Sequence, residues 1–265
     1  MQYLTPRSLA QAALPLLMSA IMVSAAPAIA AQDSDPTEVK ESYGITIESE
    51  NHRFHYSYPK ALAREPALSG YLDRKGLEEG TGFSADSDRD HAEIAAKAES
   101  GYRLNPYEHQ VEWSEEAEIP AYISLSRHTY SYLGGAHGMS VTTSLLWDKA
   151  GDEPVEVLTL FSGKAGLDQA VQKAFCAQLN IQRAEKRGHP IPANSDDGFE
   201  QCITPSDQTV ILGSSKGGNF DTLSINVAPY EAGPYVEGSY QVDLPVTQAV
   251  ISALKPEYRS HFAVR

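Results

Sequence analysis

The sequence is poor in basic side chains, and this argues against some classes of binding partner. It holds 21 Lys and Arg residues against 35 Asp and Glu residues, so its formal net charge is −14. Nucleic-acid binding needs clusters of Lys and Arg that neutralise phosphates, and the acidic balance argues against it. The same charge favours encounter with a basic partner, although an acidic surface also serves simply to keep a protein in solution.

Cysteine is scarce as well. Cys176 and Cys202 are the only two cysteines of the chain, which is too few for a structural zinc site with its usual four Cys or His ligands. An even pair in an oxidising compartment usually forms a disulfide, so we expect these two to be bonded if the protein is exported. The sequence gives no reason to expect a metal site or a cofactor.

Beyond residues 9–23, the sequence contains no long apolar run. Residues 9–23 are mostly apolar and precede Ala28 and Ala30, a small-x-small cleavage site. The run is short of the roughly 20 residues that span a bilayer, which favours a signal peptide over a transmembrane helix. We therefore expect a signal peptide over 1–30, then a flexible arm over 31–42. The mature protein would be periplasmic or secreted, without a stable membrane anchor; losing the one Arg of the leader would take its charge from −14 to −15.

Alternation of apolar and polar residues predicts β-strands in both halves of the chain. Residues 43–47 and 54–58 alternate with opposite parity, which indicates a hairpin turn or a bulge between two strands. The alternation over 102–157 predicts three or four antiparallel strands. Two more strands are predicted over 223–227 and 240–244, with a loop between them.

Helical spacing predicts the remaining elements. Residues 66–79 show a helical pattern, and a second helix is expected from about residue 88 to 99. The residues expected to break the first helix are Gly80, Gly82 and Ser84. Residues 167–179 carry a clear core-facing stripe, and a short helix is expected over 246–254. Together these patterns predict an α+β fold, with antiparallel sheets and helices packed on them.

Three short motifs are unusual in their glycine and aromatic content. They are Gly134-Gly135-Ala136-His137-Gly138, Leu158-Thr159-Leu160-Phe161 and Tyr230-Glu231-Ala232-Gly233-Pro234-Tyr235-Val236-Glu237-Gly238. In this order they resemble the RsiV-like exported domains, known from the extracytoplasmic part of a lysozyme-binding anti-sigma factor and found beside peptidoglycan deacetylase domains. The resemblance implies a two-part α+β domain, with subdomains over 43–132 and 133–265.

We expect a partner to bind through loops at one end of the sheets, because loops can enter a cleft while strands hold them rigid. The candidate residues lie in the first and third motifs and are Gly134, Gly135, His137, Tyr230, Glu231 and Tyr235. The implied partner is a cell-wall hydrolase such as lysozyme, or peptidoglycan itself. A simpler interpretation of the third motif is that its two tyrosines pack while Glu231 caps loop amides. Within the first motif, we expect at least one glycine to have a positive φ or a close backbone neighbour.

His137 leaves a second class of function open. A histidine in a glycine turn can be a general base or a metal ligand, and a cell-wall-modifying hydrolase would need a carboxylate or nucleophile within its reach. His128, on the preceding strand, could approach it across the hairpin. The more common role is structural, with the ring bonded to the backbone of the turn. We therefore assign no catalytic residue and expect a binding domain, with a hydrolase using His137 as the alternative.

Overall fold

The structure, a computed structural model, describes residues 41–98, 104–192 and 195–265. The predicted signal peptide and nearly all of the predicted arm lie outside the described residues. Among the residues that are described, no helix is both long and apolar enough to cross a membrane. The fold is α+β, as predicted, with two sheets, mostly antiparallel, and helices packed on them.

The first sheet has six strands in the order β1-β2-β3-β4-β5-β6. Their bounds are β1 Ser42–Glu48, β2 His52–Pro59, β3 Tyr107–Glu118, β4 Tyr122–Tyr132, β5 Met139–Asp148 and β6 Glu153–Val155. The predicted hairpin is confirmed as β1 and β2, and the predicted antiparallel strands as β3 to β6. The pairing of β2 with β3 is parallel, which was not predicted; a parallel pair needs a long crossover, and a helix supplies it.

That crossover is α1, Pro66–Lys97, one continuous helix of 32 residues. The predicted break at Gly80, Gly82 and Ser84, and the separate second helix after it, are wrong. Gly76 and Gly80 lie where the helix meets the sheet, and a Cβ added at Gly80 would stand 2.7 Å from the ring of Phe54. These two glycines allow close packing of helix on sheet, and the helix continues through them because the core beneath it stabilises it.

The core between α1 and the sheet is rich in aromatic rings. Phe54 and Tyr56 of β2 are almost fully buried beneath the helix, together with Leu68 and Leu72 of α1. Strand alternation sends the neighbouring residues of β2, β3 and β4 to the opposite face of the sheet. One face of the sheet is therefore apolar and covered by α1, and the other is largely polar.

The second sheet has three antiparallel strands, β7 Thr209–Gly213, β8 Thr222–Val227 and β9 Tyr240–Pro245. Strands β8 and β9 were predicted and β7 was not. The helices α2, Lys164–Arg187, and α3, Gln248–Ala253, pack with this sheet around a second core. The predicted stripe of α2 is confirmed, since Leu167, Val171, Phe175 and Leu179 are buried.

Short 3-10 helices complete the chain, at Lys60–Arg64, Val157–Leu160, Pro205–Asp207, Tyr235–Glu237 and Pro256–His261. The second motif falls on the second of these, where Leu160 and Phe161 join the core of the three-stranded sheet. The predicted boundary at residue 132 lies at the end of β4, within the six-stranded sheet. The division into two subdomains stays a prediction.

Candidate functional site

The first motif forms the tip of the hairpin between β4 and β5. Gly134 and Gly135 have φ values of 87° and 95°, in the region that a side chain rarely adopts. The hydroxyl of Tyr132 donates a hydrogen bond of 3.2 Å to the carbonyl of Gly135. Gly138 is buried, and a Cβ there would run into the ring of Tyr130. The prediction that these glycines are structural is confirmed.

His137 is held by backbone and by an aromatic ring. Its Nδ1 lies 2.9 Å from the carbonyl oxygen of Gly138, so this nitrogen carries the proton and donates it. The imidazole stacks on Tyr235, with ring centres 3.8 Å apart and planes at 20°. The Tyr235 hydroxyl donates to the same carbonyl oxygen at 2.8 Å. The first and third motifs, far apart in sequence, therefore meet at Gly138.

The third motif forms a loop between β8 and β9 and contributes two further predicted residues. Tyr230 has a φ of 72°, is 47% exposed and has its ring centre 5.7 Å from that of Tyr235. The expectation that the two tyrosines pack is met. Glu231 is exposed, and its side chain caps no amide among the described residues.

Glu237, which was not among the predicted site residues, is the carboxylate that orders this loop. Arg187 of α2 donates to both of its oxygens, at 2.8 and 3.0 Å, and the hydroxyl of Tyr240 donates to it as well. Burial alone would raise the pKa of Glu237, but the hydrogen bonds from Arg187 and Tyr240 outweigh it and the pKa lies below its ordinary value. Burial and the neighbouring carboxylate raise the pKa of Tyr240 to about 12.

Two more cations of α2 hold the backbone of the loop. Lys186 donates to the carbonyls of Glu237 and Ser239 at 2.6 and 2.7 Å. Arg183 is fully buried and donates from Nε to the carbonyl of Ala232 at 2.9 Å. Burial, and then the neighbouring Arg187, lowers the pKa of Arg183. The loop is thus fixed to a helix at several points along its length.

The predicted disulfide starts from the same helix, since Cys176 lies on α2 and Cys202 lies after it. Cys176 and Cys202 are bonded, with their Cα atoms 5.5 Å apart. The bond ties α2 to the segment that follows it, and Arg183 donates to the carbonyl of Gln201 in that segment at 3.1 Å. Helix α2 therefore supports two loops, by a covalent bond on one and by hydrogen bonds on both.

Three apolar side chains project from the paired loops. Leu133 is 61% exposed, Tyr230 47% and Val236 90%. We call the two loops, residues 133–138 and 228–239, the two-loop surface. Its backbone is held by glycine geometry, ring stacking and the cations of α2, while these apolar side chains are left in water. Exposed apolar groups on an ordered loop are typical of protein-binding sites.

A second cluster joins three elements in a way that sequence reasoning missed. Ser131 of β4 lies 2.7 Å from Nδ1 of His109 on β3, and Nε2 of that ring lies 2.8 Å from Glu79 of α1. Arg127 also donates to the Glu79 carboxylate, whose pKa lies below its ordinary value because these hydrogen bonds and the charge of Arg127 outweigh the effect of burial. The arrangement links α1 to the sheet. No sequence motif signals it, since its members are spread over residues 79–131 and three elements.

Among the described residues, His137 has neither the catalytic partner of a general base nor the further ligands of a metal site. His128 contacts Thr142 across the sheet, at 3.4 Å, and the polar partner of His137 is a backbone oxygen. In the part of the chain that the structure describes, no group of three or more His, Cys, Asp or Glu side chains could hold a metal ion. Within the described residues, no carboxylate or nucleophile hydrogen-bonds to the His137 ring, as a general base would require.

Comparison with known proteins gives one family match, on part of the chain. Residues 45–140, from β1 to the start of β5, match the family model described as deacetylase PdaC. No curated protein matches the sequence.

Eight chains among the solved structures are similar to this protein, and two of them belong to DUF3298 proteins. A member of the DUF3298 family from Bacteroides fragilis is 17% identical, with 77% of this chain and 90% of that chain covered and a TM-score of 0.49. A DUF3298 family protein from Pseudomonas aeruginosa is 15% identical, with 85% and 96% covered and a TM-score of 0.48. The predicted RsiV-like assignment stays a prediction; residues 45–140 are similar to the PdaC family model, and the two DUF3298 proteins are structural neighbours of the chain.

Proposed function

We propose that this protein is an exported binding domain without catalytic activity, and that its two-loop surface recognises a basic cell-wall hydrolase of the lysozyme class. The observation that carries the proposal is the contact between the two loops. The stack of His137 on Tyr235, and their shared acceptor at Gly138, join two motifs from distant parts of the chain into one ordered surface.

The exposed side chains of this surface suit a protein partner. Val236 is 90% exposed and Leu133 61%, at positions where the backbone is already ordered. Ordered loops lose little conformational freedom on binding, so burial of their apolar side chains contributes more fully to affinity. Tyr230, the third exposed side chain of this surface, is of a residue type that is enriched at the energetic centres of interfaces.

The charge of the chain supports a basic partner. A formal net charge of −14 raises the rate of encounter with a cationic enzyme through long-range attraction. The comparison with the PdaC model and the motif resemblance both point to domains associated with the cell wall. The surroundings of His137 favour this function over the hydrolytic alternative, because its contacts among the described residues are a backbone oxygen and the Tyr235 ring, and a general base needs a nucleophile or carboxylate within reach.

The test is binding to purified lysozymes of more than one type, measured by calorimetry at low and physiological salt. We expect saturable binding, and slower association as salt rises, because exposed charges are screened beyond about 8 Å at physiological ionic strength. Val236→Asp should weaken binding by roughly thirtyfold, the effect of removing an interface side chain that contributes about 2 kcal/mol.

Leu77→Asp is the matched control. Leu77 is 57% exposed and lies on α1, outside both loops, and the substitution adds the same charge. Equal loss of binding in the two variants, or a Val236→Asp variant that binds like the unaltered protein, would remove the two-loop surface from the proposal. No saturable binding at low salt would reject the hydrolase as partner, and purified peptidoglycan would then be tested in its place.

A further inference from the structure

The face of the six-stranded sheet that turns away from α1 contains a cavity of about 240 Å³. Its polar side chains come from three adjacent strands, β2, β3 and β4. They are His55, Ser57, Gln110, Glu112, His128 and Tyr130. This sheet-face cavity is separate from the two-loop surface, although Tyr130, which lines it, also lies against Gly138.

Strand register places these side chains in two rows. Ser57, Glu112 and His128 are direct neighbours across the three strands, and His55, Gln110 and Tyr130 form the next row. On β1, the residue paired with Ser57 is Gly44, which carries no side chain and leaves that end of the first row open. The cavity is therefore a shallow polar depression, with functional groups from three strands within reach of one small ligand.

Several of these groups have no partner among the residues that the structure describes. Glu112 is exposed, and among the described residues its carboxylate takes part in no hydrogen bond or ion pair. Glu108 on the same strand differs, since Arg53 binds it at 3.0 Å. The amide of Gln110 is likewise unpaired within the described part of the chain.

Ser57 is the most informative member of the cavity. It is 9% exposed, yet its hydroxyl, at the cavity wall, bonds to no other described residue. The hydroxyl oxygen itself is not fully buried, so a molecule in the cavity can reach it. It is therefore free to exchange a hydrogen bond with a ligand.

From this arrangement we infer that the sheet-face cavity binds one unit of a saccharide. The Glu112 carboxylate only accepts hydrogen bonds, the Gln110 amide donates and accepts, and the Ser57 hydroxyl does both. A sugar ring carries hydroxyls that also donate and accept, so it can satisfy all three at once. An anionic ligand is disfavoured by the charge of Glu112.

The walls and the size of the cavity agree with this ligand. His55 and His128 each have Nδ1 beside a threonine hydroxyl, at 3.3 and 3.4 Å, and their other ring nitrogens remain for a ligand. Tyr130 supplies an aromatic ring with a polar tip, suited to a ligand with apolar and polar edges. A volume of about 240 Å³ lies below the roughly 300–1,000 Å³ of drug-sized sites, which limits the bound part to a single ring.

The inference rests on the proposed function only for the source of the ligand, because an exported protein meets the glycan strands of the wall. Binding of sugar and binding of a hydrolase use different residues. The two proposals therefore fail separately: the sugar experiment contains no hydrolase, and the variants used for one site leave the other unchanged.

The experiment is a titration of the purified exported protein, followed by NMR. One arm uses the tetramer of N-acetylglucosamine, as in wall glycan, and the other the tetramer of glucose, a general saccharide. We expect saturable shifts at the backbone amides of Gln110, His128 and their neighbours with at least one tetramer. Glu112→Gln should weaken binding roughly tenfold, equivalent to about 1.4 kcal/mol, and Gln110→Ala should weaken it in the same direction.

Glu185→Gln is the control, since Glu185 is exposed on α2 and the substitution removes the same charge. Preference for the N-acetylglucosamine tetramer would identify wall glycan as the source, and equal binding of both would support a general saccharide site. Absence of saturable shifts with both tetramers overturns the inference. So does unchanged affinity in Glu112→Gln, or equal weakening in the control. Melting curves of the three variants verify folding, and exposed substitutions of this kind usually change stability by no more than about 0.5 kcal/mol.

Discussion

Replacing one glycine of α1 with alanine should destabilise the protein, while replacing a second glycine two residues later should stabilise it. At Gly80 a Cβ would stand 2.7 Å from one ring carbon of Phe54, 2.9 Å from the next and 3.0 Å from Ile47. Phe54 is fully buried, so its ring has no free space to move into. At Gly82 a Cβ would meet nothing within 4 Å.

The magnitude follows from two effects. In both variants alanine gains helix propensity over glycine, worth about 1 kcal/mol in favour of the folded protein. Only at Gly80 does the added methyl group overpack the core, which typically costs about 1–3 kcal/mol. The propensity gain cancels in the difference between the two variants, so Gly80→Ala should be about 1–3 kcal/mol less stable than Gly82→Ala.

The assay is thermal unfolding of the two variants and the unaltered protein, followed by circular dichroism at 222 nm. For a domain of this size, 1 kcal/mol shifts the melting temperature by about 2–4 °C, so the separation between the two variants is measurable. Gly82→Ala should melt above the unaltered protein. Equal melting temperatures for the two variants would refute the argument, because they would mean that α1 does not press on the sheet at Gly80.

Three further predictions concern the two-loop surface and its support. Thiol labelling of the native protein without reductant should find no free thiol, and replacing both Cys176 and Cys202 with serine should lower the free energy of unfolding by about 3 kcal/mol, as expected for a bond closing a loop of this length; two labelled thiols would contradict the bond. The lowered pKa of Glu237 means that its contribution to stability is present above about pH 4.3 and is lost as pH falls through its folded-state pKa. Glu237→Gln should therefore lower the free energy of unfolding at pH 7 by about 1–3 kcal/mol, and by much less in acid. Glu231→Gln should behave like the unaltered protein at both pH values, and a pH-independent loss in Glu237→Gln would contradict the assignment. Gly135→Val should cost more than roughly 1 kcal/mol because φ is positive there, and a melting curve like that of the unaltered protein would refute this.

Much of the fold follows from periodicity. Strand alternation predicted β1, β2 and β3 to β6, because one face of each strand is buried. The apolar stripe over residues 167–179 predicted α2, because one side of this helix is buried as well. The break in α1 was wrong because local propensity treats glycine as a helix breaker, whereas the contact of Gly80 with Phe54 arises only in the tertiary structure. The same limit applies to β7, whose five residues are too few for a clear pattern.

The candidate site was predictable in outline from its motifs. The glycine cluster predicted a strained turn, and the tyrosines of the third motif predicted packing. The support beneath it was not predictable, because Arg183, Lys186 and Arg187 look in sequence like the polar side of an amphipathic helix. Their role depends on a loop some 45–50 positions away, and no spacing along the chain encodes that approach. The sheet-face cavity was hidden for a similar reason, since polar residues alternating along a strand usually indicate only a solvated face.

The parallel pairing of β2 with β3 has a consequence for the order of folding. Strands β3, β4 and β5 are joined by short turns, so their pairing closes small loops and requires little loss of chain entropy. The pairing of β2 with β3 closes a loop that contains the whole of α1, and contacts of such long range form slowly. We therefore expect the β3–β5 meander to acquire amide protection first during refolding, and the β1–β2 hairpin to join it only after α1 has formed. Until then the edge of β3 is an unpaired strand, and a nascent chain in this state is open to pairing with another copy.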